Sequence, residues 1–237
     1  MDKEYGYWYE IGVLDGWLGT ELQSPCNQLF YLLLPFLAVL PYGSQLFSEW
    51  NNGYAGQMII RCGRRRYLTA RGIAAFVSGG CVIAIPLLVN FLSIACFMPI
   101  IVTDPMALQS VVPGRALLGD LVYEAPALYA AWYIFIDFIY GGLFALMALA
   151  ITQFCNKGVV LTILPLMFNC CMYYGVHNLI PDINAYNISL IPNPAQQGMK
   201  LTWHSLFLSM SGTFLILIVL FAASNYKKDV LRTGAME

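Results

Sequence analysis

Residues Glu49–Arg71 read EWNNGYAGQMIIRCGRRRYLTAR, and this stretch orients the rest of the chain. It holds Arg61, Arg64, Arg65, Arg66 and Arg71, five of the 12 basic residues, in a sequence that is 59 % hydrophobic and 11 % charged. Apolar runs flank it, from Leu29 to Phe47 and from Gly72 to Val102. A basic loop between two runs of membrane length stays in the cytoplasm, because arginine and lysine bias a loop against translocation. Glu49 opens the segment, and Trp50, Tyr54, Met58 and Arg61 then recur at steps of three or four. That spacing predicts one face of a short helix, with Gly53 inside it and Gly63 as its stop. Arg64, Arg65, Arg66 and Arg71 follow where the next helix enters the lipid headgroups.

The composition excludes a soluble domain. A chain of 237 residues with mean hydropathy +0.66 and several apolar runs of about 20 residues is predicted to cross a membrane repeatedly. The opening residues, MDKEYGYWYEIGVLDGW, are acidic and aromatic and have no basic lead of the kind a cleavable signal carries. The seven cysteines are odd in number and lack C-x-x-C spacing, which argues against a disulfide framework or a zinc site.

The expected fold is therefore an all-α polytopic membrane bundle forming a single transmembrane domain over residues 1–237. Its five spans are expected at about 28–48, 69–102, 126–154, 159–176 and 204–223, with a short cytoplasmic amphipathic helix after the first. Pro35 and Pro41 fall in the first span, and Pro86 and Pro99 in the second, where each removes a backbone donor. The second run is too long for a simple crossing, so it either starts in the cytoplasm or bends. Ala75, Gly79 and Gly80 mark a helix face that a neighbour can approach closely. Tyr5, Tyr7, Trp8, Tyr9 and Trp17 suit the headgroup zone on the outer side.

Charge sets the orientation. With the arginine loop inside, Lys157, Lys227, Lys228 and Arg232 are also cytoplasmic, and only Lys3, Arg115 and Lys200 lie outside. The C-terminus is then cytoplasmic.

Chemistry is sparse. Phosphate-cradling G-x-x-x-x-G-K-[ST] is absent, as are H-E-x-x-H and G-x-S-x-G, so no catalytic residue, metal site or cofactor is expected. His177 and His204 are 27 positions apart and make a poor metal site. Asp137, in IDFIYGG, is the exception. A carboxylate deep in a span costs about 2.5–3.5 kcal/mol and must face the bundle or water. It contacts either a proton or substrate, or a neighbouring helix. Gly141 and Gly142 are read as packing.

The run LLLPFLAVLPYGSQLFSEWNNGYAGQMIIRCGRRRYLTARGIAAFVSGGCVIAIPLLVNF, Leu32–Phe91, resembles the permease subunits of ABC-2 type transporters. Glu49, Gly53, Arg61, Arg64–Arg66 and Gly79–Gly80 fit that family's pattern of proline-rich span, acidic cytoplasmic segment and basic entry into a small-residue span. IDFIYGGLFA and the long outer loop before the last span are similar too. The resemblance implies a non-catalytic permease subunit in a bacterial cytoplasmic membrane, pairing as a homo- or heterodimer with another permease subunit. It implies a separate ATPase that docks on residues 49–66 through Glu49, Trp50, Gly53, Tyr54, Met58 and Arg61, with lipids on the arginines, no nucleic acid, and export as the direction. The family has six helices with both termini inside. Here residues 1–28 look like the outer loop that follows the first of them. Two other readings of the same residues are an accessory membrane protein that binds partners without transport, and an ion-coupled transporter that uses Asp137.

Overall fold

Long apolar runs broken by glycine and proline fold here as long helices joined by short ones. The computed structural model describes residues 12–20, 25–100, 117–151, 158–176, 185–195 and 201–233, and all regular structure among them is helical. In chain order these are α1 (Val13–Gly16), α2 (Pro25–Asn51), α3 (Tyr54–Cys62), α4 (Arg64–Ala95), α5 (Gly119–Glu124), α6 (Pro126–Ile151) and α7 (Gly158–Cys170). A π-helical turn, Cys171–Val176, continues α7, and α8 spans Trp203–Thr233. The expected spans overlap α2, α4, α6, α7 with its π-helical turn, and α8, with residues 152–154 of the third lying outside the described residues. Among the described residues two, α4 and α6, are long and apolar enough to cross a membrane, while Pro25–Pro41 and Trp203–Val219 are shorter apolar helices.

Helix α4 differs from the second expected span at both ends. It starts at Arg64 and stops at Ala95, so Pro99 lies beyond it and only Pro86 is internal. Its 32 residues measure about 48 Å, against ~30 Å of hydrocarbon. The excess of about 18 Å is roughly three turns, and the arginine-bearing start, Arg64–Arg71, supplies about two of them.

Helix α6 is the centre. Tyr129, Tyr133, Asp137 and Tyr140 on it are fully buried, and α2, α4, α7 and α8 pack around it. Its closest partner is α4, and glycines set the distance. A Cβ on Gly79 would sit 2.5 Å from the Cβ of Ala145, and one on Gly142 would run into the Phe76 ring. At Gly79 the obstruction includes backbone oxygens of Ala38 and Gly141, so a side chain there moves a helix, while at Gly142 the Phe76 ring has to move. In lipid, where apolar contact between helices gains nothing over contact with acyl chains, such close approach is the main attraction.

Prolines on α2 create a second constraint. Pro35 has no N–H, so the carbonyl of Tyr31 four residues back loses its helical partner. The Asn169 side-chain amide on α7 donates to Tyr31 O at 3.3 Å and to Leu32 O at 3.0 Å, filling that gap. Asn169 is itself buried, and its own carbonyl accepts from Ser189 Oγ at 3.1 Å.

The end where α2 begins is covered by the chain itself. Trp17, expected among the headgroups, is completely buried. Its indole N–H donates to Leu87 O at 3.3 Å, and its ring meets Phe91 edge-on at 5.8 Å. An indole needs one polar partner, and a helix carbonyl provides it as well as a lipid headgroup does. Leu18 N–H donates to Asn90 Oδ1, Asn27 Nδ2 donates to Gly19 O, and Asn193 Nδ2 donates to Asn27 Oδ1. Ile191 and Ala195 are buried beside them.

Candidate functional site

Two places carry polar chemistry: the arginine-bearing end of α2–α3–α4 and the carboxylate at the centre of α6. At the first, the local sequence breaks a continuous helix twice. Gly53 has φ +71° and Gly63 has φ +79°, conformations that side-chain-bearing residues avoid. Helix α2 therefore ends at Asn51, and α3 is a separate nine-residue segment between two glycine joints.

This corrects the expected helix. Glu49 and Trp50 do not open it. They lie on the last turn of α2, and Gly53 is the joint rather than an interior residue. The environment of the Trp50 side chain falls outside the described residues. At the C-terminal end of a helix a carboxylate is disfavoured by the macrodipole. Glu49 is held there by Arg71 of α4, in an ion pair whose side chains are 16 % and 15 % exposed, and by the Tyr67 hydroxyl, which donates at 3.2 Å. The Arg71 guanidinium also lies 5.3 Å from the centre of the Tyr67 ring. Glu49 thus clamps the end of α2 to the start of α4, bridging over α3. Arg71, expected as a lipid anchor, is part of this clamp. Tyr67 was not singled out in the sequence, although its place one turn before Arg71 puts the two on one helix face.

Helix α3 projects away from this clamp. Ala55 is buried and Met58 and Ile59 are half-buried, so that face packs back onto the bundle. Tyr54, Gly56, Gln57, Ile60 and Arg61 are exposed, Ile60 to 85 %. Of the expected face, Tyr54 and Arg61 do point outward, whereas Met58 is turned partly inward. Two outward residues escaped the sequence reading, Gly56 and Ile60, which are one turn apart. A glycine inside a helix costs about 1 kcal/mol relative to alanine. At Gly56 a Cβ would meet nothing within 4 Å among the described residues, and φ is not positive. Arg65 and Arg66 are exposed on the first turn of α4, beside α3; Arg64 heads that turn, with its side chain outside the described residues. Three cations at a helix N-terminus oppose the macrodipole, so helix stability does not account for them.

At the second place, Asp137 has no solvent exposure. Tyr31 of α2 donates to its Oδ2 at 3.4 Å, and its Oδ1 has no hydrogen-bond partner among the described residues. Tyr129 and Tyr140 on the same face of α6 are tied elsewhere, to Pro194 O at 2.7 Å and to Ser209 Oγ of α8 at 2.9 Å. The residue is about 17 Å along α6 from Pro126, roughly half a bilayer core. The sequence indicated its depth; its partner Tyr31, 106 residues away, carried no signal.

These two places are not brought together. They lie at different depths, linked by α2, which carries Tyr31 near its start and Glu49 at its end. His204 is exposed on α8, His177 lies outside the described residues, and those residues contain no cluster of three metal-ligating side chains. The side chains of Lys227, Lys228 and Arg232, together with Lys3, Arg115, Lys157 and Lys200, also fall outside them. No protein-family model, curated protein or solved structure matches the chain.

Proposed function

We propose that this chain is the transmembrane permease subunit of an ABC-2 type transporter, working as an exporter in a bacterial cytoplasmic membrane with a separate ATPase. On this reading α2, α4, α6, α7 with its π-helical turn, and α8 are the five crossings of one transmembrane domain. The arginine end and the C-terminus face the cytoplasm, and the domain pairs with a second permease subunit. The observation that carries the reading is α3: a nine-residue helix, set between two positive-φ glycines at the arginine end, with its outer face exposed. A segment so placed is attached to both α2 and α4 and passes a push on its outer face to both. The Glu49–Arg71 clamp stiffens the hairpin that would carry this motion. ATP hydrolysis belongs to the partner.

The test is co-expression with an ATP-binding subunit, followed by purification and reconstitution. The complex is expected to hydrolyse ATP, and this chain alone is expected neither to bind nor to hydrolyse it. ATPase activity in a clean preparation of the chain alone would defeat the proposal.

Asp137 favours a second reading, an ion-coupled carrier, through its buried Oδ1, which has no hydrogen-bond partner among the described residues. Asp137→Asn separates the two. In a carrier, transport loses its dependence on the ion gradient at normal expression. In the ATP-driven subunit, the amide preserves the Tyr31 contact and transport changes little.

A further inference from the structure

We infer that Asp137 is a proton-binding site, with Oδ1 as the atom that takes the proton and Tyr31 as the residue that positions the carboxyl. The inference deepens the ion-coupled reading above by naming the ion and the atom, and rests on that reading for its link to transport. Asp137 has no solvent exposure, and Tyr133 and Tyr140, one turn before and after it on α6, have none either. A ligand larger than a proton reaches the carboxyl only by displacing packed side chains. A metal ion asks for about four to eight donors. The described residues hold no cluster of three side chains that would ligate one. Tyr31 donates to Oδ2 at 3.4 Å, while the hydroxyls of Tyr129 and Tyr140 bond Pro194 O and Ser209 Oγ. Oδ1 is left with no hydrogen-bond partner among the described residues.

The elements packed on α6 bring no counter-charge to this depth. Asp137 is the single charged residue of α6, and α7 has none, its titratable group being the Cys170 thiol. Helix α2 brings Tyr31 and, at its far end, Glu49, which is paired with Arg71. Helix α4 has no charge after Arg71 and brings half-buried Cys81 and the apolar Ile83, which lies against Gly141. Helix α8 has His204, exposed at its start, and no charge before Lys227. A carboxylate with one neutral donor is costly in such surroundings. The carboxyl with its proton suits the packed bundle as it stands. Releasing the proton calls for water, which enters by loosening α2 from α6 where Tyr31 meets Asp137. Proton occupancy is thereby tied to the contact between these two helices.

The experiment is infrared difference spectroscopy on the full-length chain in phospholipid nanodiscs, with protons and deuterons as the probe. At neutral pH the wild type is expected to show the C=O stretch of a protonated carboxyl, shifted by D2O and by carboxyl-13C aspartate, and absent in Asp137→Asn. Alkaline pH is expected to remove it reversibly. Tyr31→Phe deletes the hydrogen bond to Oδ2 and is expected to move the band to higher frequency, which loss of packing alone would not do. No such band in the wild type, or one that persists in Asp137→Asn, overturns the site. If Asp137→Asn fails to fold, a wild-type band that carboxyl-13C aspartate leaves unmoved overturns it equally. A band unmoved in Tyr31→Phe overturns the positioning role. Gradient-dependent transport without the band overturns the proton site and leaves an ion-coupled carrier, whereas the band with gradient-independent transport keeps the site and removes the carrier.

Discussion

At the end of the bundle where α2 begins, the chain supplies its own cover. Trp17, Ile191 and Ala195 are buried, and Asn27, Asn90 and Asn193 tie the covering segments to the helices. At the opposite end α3 is held by two glycine joints and one ion-paired clamp, and most of its outer face is bare. Among the described residues, the first end is tied down by side-chain hydrogen bonds from the covering segments, whereas the second leaves most of the outer face of α3 exposed.

The contrast breaks most readily at the glycine contacts between α4 and α6, on which both ends depend. Gly142→Leu or Gly79→Leu forces the helices apart and is expected to cost about 3 kcal/mol or more, read as lost expression or a lowered unfolding midpoint in detergent. Near-normal stability would mean that the two helices are not in close contact.

The Asn169 contact sharpens the account of the covered side. Asn169→Leu strands the carbonyls of Tyr31 and Leu32 and is expected to cost about 1–2 kcal/mol. Combining it with Pro35→Ala returns an N–H to the Tyr31 carbonyl, so the double variant should be more stable than the sum of the single effects. Simple additivity would show that Asn169 does not serve the proline gap.

At the bare end effects on stability should be smaller. Glu49→Gln removes the charge that holds Arg71 and should cost about 1 kcal/mol or less, since the pair is partly exposed. Its sharper readout is protease cleavage near Asn52–Gly53, which should accelerate several-fold as the hairpin loosens. Unchanged cleavage would leave the clamp without a mechanical role. Ile60→Asp should change the stability of the isolated chain by less than about 0.5 kcal/mol. A larger loss would mean that Ile60 packs inside the protein and has no free face.

The length of the apolar runs made the helices readable, because a long uninterrupted apolar stretch favours a helix that satisfies its own backbone. Gly79 and Gly142 were readable because small residues at helical spacing mean close approach. The clamp was not. Glu49 and Trp50 continue the helical spacing into α3, and only the positive φ at Gly53 separates them, a backbone choice that glycine permits but does not require. Trp17 misled because an amphipathic ring satisfies itself equally at a headgroup or on a carbonyl. Tyr31 was invisible as the partner of Asp137, since a contact across 106 residues leaves no local pattern.

The central claim is that the bare end faces the cytoplasm, and Cys26 and Cys62 mark the two ends. Cys26 is on the first turn of α2 and Cys62 closes α3, and both side chains are exposed. In single-cysteine variants, a membrane-impermeant thiol reagent applied to intact cells should label Cys26 and leave Cys62 untouched, and Cys62 should become reactive once the cytoplasmic face is opened. Labelling of Cys62 in intact cells, with Cys26 protected, would contradict the orientation and remove α3 from the reach of any cytoplasmic ATPase.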